Sequence, residues 1–590
     1  MVRSQHRRKI LQATLAGVTS QFSPFALAQP NATSSAVGSA IGQDTGASYI
    51  RLFPNLPAAT FAEQDLVRLA CGDGKELIGM SAEPEVIKDS QGKPQRDANG
   101  HLIVTATAED EQDDEENFGL AAGYTYLGQF IDHDLTLNPV NHFGPSVTTS
   151  TMPNLRSAAF DLDNIYGRGP ADQPYLYAAD GRSLLNGRRL TRAGVQTNAY
   201  DHPRLQGRAV LGDKRNDENV LVSQMHRAFV AFHNKVVADH PNANFEEVRQ
   251  IVTQHYQWMI LTDFLPKLVG KVTMSALLPD FGTDGKVTRT APQLTITAQL
   301  GPGRLPLEFT DAAYRLGHSL IRPVYRLNTE MRGTEHERRI NPALSGRRQI
   351  FAASGNAGLN GFRAYPTEWA IDWNLYFEVD RKLDLASLSQ GPARVQAAYK
   401  IDTSLVNPLA FLPEFSAPAG PGSYARDKDG NPLTKIGSIA NLAQRNLLRG
   451  QQHALPSGQD VARAMGIEPI ATRDLMVGKA TVEGLTENKS IAEYGDSFAH
   501  AAPLWFYILA EAQYAWNQKV KAMANATDSE RNAVPTPMGP VGGQIVAQTF
   551  IALMKNDPRS ILHANPDWRP RYLRQGRFDM PALLTAAGLV

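Results

Sequence analysis

Three side chains near residue 130 have types and spacing suited to chemistry. Gln129, Asp132 and His133 stand at i, i+3 and i+4, so a helix through residues 126–135 projects an amide, a carboxylate and an imidazole from one face. Such a convergence suits a reaction chamber. Asp134 lies about 100° further round the helix and points elsewhere, as a ligand for a cation would. Taken alone, the segment reads equally well as a helix end with surface charges.

Four further groups follow along the chain. Ser157, Asp161 and Asp163 offer oxygen atoms, with the Ala159 carbonyl between them, and Asp134 can add a carboxylate from the first helix. Hard oxygen ligands in a flexible loop suit Ca²⁺ better than Mg²⁺; an Asp-rich turn has the same composition. Next, Arg215 and Glu218 stand one turn apart at the start of a long helix, where Asn216 or Asp217 reads as a cap. His226 and His233, on one face of that helix, read as packed, hydrogen-bonded histidines rather than ligands. His318 lies one turn after Arg315 in an apolar segment where Gly317 leaves room for something flat, although a lone histidine there is more often structural. Last, Asn446 and Arg449 stand at i and i+3. They suit support of a ligand histidine and a cofactor carboxylate, or a helix cap with an exposed arginine.

The elements that must position these residues read as mainly helical. Asn219 to Ala238 places Val222, Met225, Phe229, Phe232 and Val236 on one helical face. Similar periods predict helices over residues 248–268, 309–321, 457–465, 501–516 and 543–554, and residues 294–298 give the best strand signal. Residues 109–116 hold seven carboxylates in eight positions and read as a solvated loop. With no linker evident after residue 50, the chain reads as one large helical domain over 49–590, with few short strands, preceded by a flexible linker at 29–48. Residues 1–28, with Arg7 and Arg8, a modest apolar stretch and Ala26-Leu27-Ala28, resemble a bacterial export signal of the twin-arginine kind, implying a periplasmic or secreted protein.

The 590 residues carry no formal net charge, so nothing in the balance calls for nucleic acid or an anionic membrane. No run after the N-terminus is long and apolar enough to span a bilayer. Cys71 is the only cysteine, which excludes an intramolecular disulfide and thiolate metal clusters. Any metal here is held by His, carboxylate, hydroxyl or carbonyl groups.

The five groups, in this order over roughly residues 120–465, resemble the haem peroxidase–cyclooxygenase superfamily, meaning the animal-type haem peroxidases and their bacterial relatives. The resemblance implies haem b and Ca²⁺ as cofactors. It makes His133 the distal histidine, Gln129 its neighbour, Arg215 the distal arginine and His318 the iron ligand. Asn446, ten residues ahead of Pro456 as the family pattern requires, accepts from the far nitrogen of His318. Arg315 and Arg449 pair with the haem propionates. Asp134, Ser157, Ala159, Asp161 and Asp163 form the calcium site, and Asp132 and Glu218 match carboxylates that form ester links to the haem.

The implied activity is reduction of hydrogen peroxide with oxidation of a halide, thiocyanate or small organic donor. Asn219 stands where the family's best chloride oxidiser has a sulfonium-forming methionine, which speaks against efficient chloride oxidation. The alternatives are a fatty-acid dioxygenase of the same superfamily and a non-catalytic adhesion or matrix protein on the same scaffold. The dioxygenases carry a radical-forming tyrosine three residues before the iron ligand. That position is Arg315 here, and Tyr314, one residue off, is expected to turn away.

Overall fold

In this computed structural model the described residues are 47–73, 76–81, 90–91, 110–138, 153–282, 291–331, 346–351, 358–410, 412, 439 and 441–590. The expected export signal and most of the expected linker lie outside them. Ser48 is already structured: Ser48–Ile50 pairs in parallel with Arg304–Pro306. Residues 45–590 form one compact unit.

The unit is mainly α. Its principal helices are α1 (Glu63–Cys71), α2 (Gly123–Leu135), α3 (Val220–Asp239), α4 (Phe245–Met259), α5 (Leu442–Gln452), α6 (Leu504–Lys521) and α7 (Pro540–Asn556). Strands among the described residues form only two-stranded pairs. Among the same residues no helix is long and apolar enough to cross a membrane.

Helix α3 begins where its cap dictates. The Asn219 side chain, rather than Asn216 or Asp217, accepts from the N–H groups of Leu221 and Val222. Asn216 and Asp217 instead lie in a short 3₁₀ turn, Lys214–Asp217, which leads the chain into α3. Nearly every side chain from Val220 to Phe232 is buried, and α3 packs against α2, where the Phe130 and Phe229 rings stack at 4.6 Å. Such an aromatic pair adds about 0.5–1.5 kcal/mol beyond its buried area. An Asn244–Glu247 capping box starts α4, which runs into a π-helical turn at Ile260–Phe264.

Three expectations are corrected. The helix expected over 309–321 breaks into a turn of α-helix at Leu307–Thr310 and a 3₁₀ segment at Ala313–His318. The break falls at Asp311, whose buried carboxylate is drawn to His453, Arg315 and Arg449. Residues 294–298 form no strand, because the Gln548 side chain on α7 accepts from the N–H groups of Thr295 and Ile296.

The acidic run is not a solvated loop in its described part. Glu116 is fully buried and accepts from Arg322 at 2.8 Å and from Arg394 at 2.8 and 3.0 Å. Tyr399 donates to Asp113, and Lys479 pairs with Glu115. Removing one member of such a buried ionic group costs about 3–5 kcal/mol.

Candidate active site

Helix α2 sends its two faces to two different places. Gln129, Asp132 and His133 line a cavity of about 460 Å³, together with Arg215, Glu218, Arg315, His318 and Arg449. Asp134, one step further round, faces away from it into a buried cluster of carboxylates.

On the α2 side of the cavity, the segment from Asp213 to Asn219 grips the helix. The Arg215 guanidinium donates to the backbone carbonyls of His133, at 3.1 Å, and Thr136. Its Nε and Nη2 also fork onto Asp213 at 3.1 and 2.8 Å, so Nη1 is the nitrogen that these contacts leave unengaged. Asp213 is held well below the usual carboxylate range: burial raises its pKa, but the charges of Arg215 and Arg156 outweigh it. Asn216 Oδ1 lies 2.8 Å from His133 Nδ1, and Asn216 Nδ2 lies 3.0 Å from His226 Nδ1. Glu218 accepts from the Gln129 amide, and the Asn219 amide donates to Gln129 Oε1 at 3.3 Å. His133 Nε2 stands 3.9 Å from Glu218 Oε1. Burial, reinforced by the Arg215 charge, lowers the His133 pKa to about 3, so the imidazole is neutral at pH 7. Burial raises the Asp132 carboxyl against the pull of Arg215 and Arg315.

The opposite wall is assembled from distant segments. His318 ends the 3₁₀ segment, in which Arg315, three residues earlier, falls on the same side. Asn446 on α5 meets His318 Nδ1 at 2.8 Å, and Arg315 donates to the Asn446 Oδ1 at 3.1 Å. As placed, the amide turns Nδ2 to His318, the reverse of the expected acceptor. Turning it over presents Oδ1 to Nδ1 and requires Arg315 to release that oxygen. Burial and the Arg315 charge lower the His318 pKa to about 3, so it too is neutral. Beside Gly317 there is open space: an added Cβ would meet no atom within 4 Å. Arg315 and Arg449 share Asp311, at 3.4 and 3.9 Å. Burial raises the Asp311 pKa, but His453, Arg315 and Arg449 together bring it down to about 2.

Tyr314 corrects the expectation that it turns away. It lines the same cavity, and its hydroxyl donates to the Gly128 carbonyl on α2 at 3.2 Å.

The second place is the carboxylate cluster. Oxygen atoms of Asp134, Asp161 and Asp163 lie within 4.8 Å of one another. Both Asp134 carboxylate oxygens are buried without a hydrogen-bond partner. Burial and mutual repulsion raise Asp134 far above the carboxylate range and push Asp163 up to about 7. The Ser157 hydroxyl donates to Asp161 at 3.0 Å and its N–H to Asp163 at 3.2 Å, while Ala159 lies half-buried in the same loop. Arg156 pairs with Asp163 at 3.2 Å and Arg249 with Asp161 at 3.4 Å, so Asp134 is the member of the cluster whose buried oxygens still call for a positive partner, and hard oxygen donors select a hard cation.

Sequence reading missed Asn216, Asp213, Asp311 and His453. Asp213, two residues before Arg215, and Asp311, four before Arg315, carried a local signal; Asn216 acts on His133 across 83 residues of chain and His453 on Asp311 across 142. His226 is the packed, hydrogen-bonded histidine expected, and its partner is Asn216, the residue that meets the His133 ring.

Residues 143–386 match a protein-family model described as animal haem peroxidase. The match includes Arg215, Glu218 and His318 and stops short of His133 and Asn446. Mouse myeloperoxidase is 27% identical over 241 residues, covering 37% of this chain and 30% of that protein. A peroxidase-like protein of Margaritifera margaritifera is 32% identical over 123 residues, 19% of this chain and 14% of its own. Rat thyroid peroxidase is 21% identical over 499 residues, 71% and 47%. The chain therefore spans less than half the length of these relatives. Among solved structures, peroxidase A of Dictyostelium discoideum aligns over 81% of this chain and 88% of its own, at 15% identity and a TM-score of 0.44. A fatty acid alpha-dioxygenase of Oryza sativa aligns over 88% and 84%, at 14% identity and 0.46.

Proposed function

We propose, because this chain belongs to the animal haem peroxidase family, that it reduces hydrogen peroxide and oxidises a halide, thiocyanate or small organic donor. The observation that carries this reading is the convergence of two buried, neutral imidazoles, His133 and His318, on one cavity.

The residues present fit a haem b. His318 would be the iron ligand, Arg315 and Arg449 would meet the propionates, and the space beside Gly317 would admit a flat ring. Asp132 and Glu218 stand on the cavity wall where ester bonds to ring methyl groups would form. When bound, the haem supplies the redox chemistry, tuned by its axial ligand and by any distortion of the ring.

The chain's own part is protonic and electrostatic. His133 takes a proton from peroxide at Nε2 and returns it to the leaving oxygen. Arg215, through Nη1, stabilises the negative charge that develops there. Asn446, its carbonyl turned to His318 Nδ1, makes that imidazole more electron-rich. Asn219 holds the Gln129 amide by its oxygen, which leaves the NH₂ group facing Glu218 and the cavity. Asp134, Asp161, Asp163, Ser157 and the Ala159 carbonyl would hold a Ca²⁺ ion, which would tie α2 to the loop after it, directly beside His133. Residues 1–28 act as the export signal, which puts this chemistry in the periplasm or outside the cell.

A visible spectrum of purified protein before and after acid–acetone extraction tests the cofactor. A Soret band that stays with the polypeptide supports haem and its ester linkage; a colourless protein made with ample haem overturns both. Peroxide-dependent oxidation of a chromogenic donor tests the activity. A second reading, as a dioxygenase, draws on Tyr314 lining the same cavity. Oxygen uptake with an unsaturated fatty acid and no added peroxide would favour it.

A further inference from the structure

Resting on the peroxidase reading, we propose that Asn216 is a positioning residue that locks His133 in the tautomer with a bare Nε2, and that His226 holds Asn216 in the orientation this requires. Asn216 is fully buried and lies between two buried histidines. Its Oδ1 meets His133 Nδ1 at 2.8 Å, its Nδ2 meets His226 Nδ1 at 3.0 Å, and its backbone carbonyl meets His202 Nε2 at 3.1 Å.

An amide has one accepting end and one donating end. With Nδ2 donating to His226, Oδ1 must accept, so the His133 proton sits on Nδ1 and the lone pair on Nε2. That nitrogen stands on the Glu218 side, where at 3.9 Å the carboxylate is too far to hold a proton on it. A base needs that lone pair; the other tautomer presents an N–H to peroxide and cannot accept.

The neighbouring residue completes the arrangement. Arg215 binds the backbone carbonyl of His133 while Asn216 binds its ring. Two consecutive residues of one 3₁₀ turn therefore fix both the height and the rotation of the imidazole. Neither Asn216 nor His226 lines the cavity, so each acts through His133.

The test reads tautomer and turnover separately. The full-length protein is labelled with ¹⁵N-histidine and read by long-range ¹H–¹⁵N correlation, in a diamagnetic ferrous form if it carries haem. The His133 signals are assigned by their loss in His133→Gln. Wild type is expected to show a protonated Nδ1 and a bare Nε2, and Asn216→Leu to lose this preference. Asn216→Leu should lower kcat/KM for peroxide about 10²-fold while leaving that for the donor unchanged. Asn216→Asp, which still accepts from Nδ1, should recover most of that loss. If Asn216→Leu does not fold, His226→Phe releases the amide and should give a mixture of the two tautomers. A protonated Nε2 in wild type overturns the proposal, as does an unchanged tautomer in the folded variants. A wild type without haem or peroxide turnover sinks the peroxidase reading instead; the tautomer result stands or falls without it.

Discussion

The two walls of the cavity are built by different means. On the His133 side, one seven-residue stretch, Asp213 through Asn219, meets the C-terminal end of α2: Arg215 on the carbonyls, Asn216 on the ring, Glu218 and Asn219 on Gln129. On the His318 side, a 3₁₀ turn, α5 and the Asp311–His453 pair come together from segments 128 to 142 residues apart. In the first wall the groups that hold His133 and Gln129 all come from the protein. In the second, Arg315 and Arg449 are occupied with Asn446 and Asp311, contacts that a cofactor carboxylate would exchange. One side is preorganised and the other is finished by its ligand.

The largest effects should separate the walls. His318→Ala is expected to abolish the Soret band, whereas His133→Ala should keep it and lower the peroxide rate by about 10²–10⁴-fold. Loss of colour in both variants would break the division. Cation removal comes next. A chelator should lower the melting temperature, and calcium at a hundredfold excess over its Kd should restore about 2.7 kcal/mol. In Asp134→Asn neither addition should matter, and a wild type indifferent to both would remove the cation from the preorganised wall.

Asn446→Leu should reduce activity about 10- to 100-fold by weakening the support of His318. A loss confined to haem affinity would sharpen the view that this wall is assembled around its ligand.

Acid stability gives a reference outside both walls. Burial lowers the pKa of His233 and of His255 to about 4. The unfolded chain binds those protons first, so the stability these neutral rings contribute is complete above about pH 6.5. It fades as pH falls toward 4, by about 1 kcal/mol each near pH 5.5. Urea unfolding of wild type and of the His233→Phe and His255→Phe variants at pH 7.5 and 5.5 measures it, and an acid-induced shift of the midpoint that is the same in the variants as in wild type would contradict it. The smallest effect is Asn219→Ala, which removes the cap of α3 and should cost about 1 kcal/mol. A shift in donor preference beyond that loss would show Gln129 responding to its release.

Local geometry was legible in the residues themselves. The i, i+3, i+4 spacing of Gln129, Asp132 and His133 put them on one wall, and the next residue, Asp134, went to the carboxylates, because helix pitch is a property of the backbone. The long amphipathic helices were equally visible, since their signals lie within a few turns of chain. What failed did so where a partner arrives from far away. Glu116 looked solvated until Arg322 and Arg394 came to it, and residues 294–298 looked like a strand until Gln548 took their N–H groups.

The sequence by itself therefore determined which groups could face a cavity and which could face a cation. Tertiary structure decided what each buried group meets: Asn216 for the His133 ring, Asn446 for His318, Asp311 for the two arginines. The reason is physical. A helix sets directions from near neighbours, whereas a buried polar atom is defined by its partner, and these partners are brought in by the packing of the whole core.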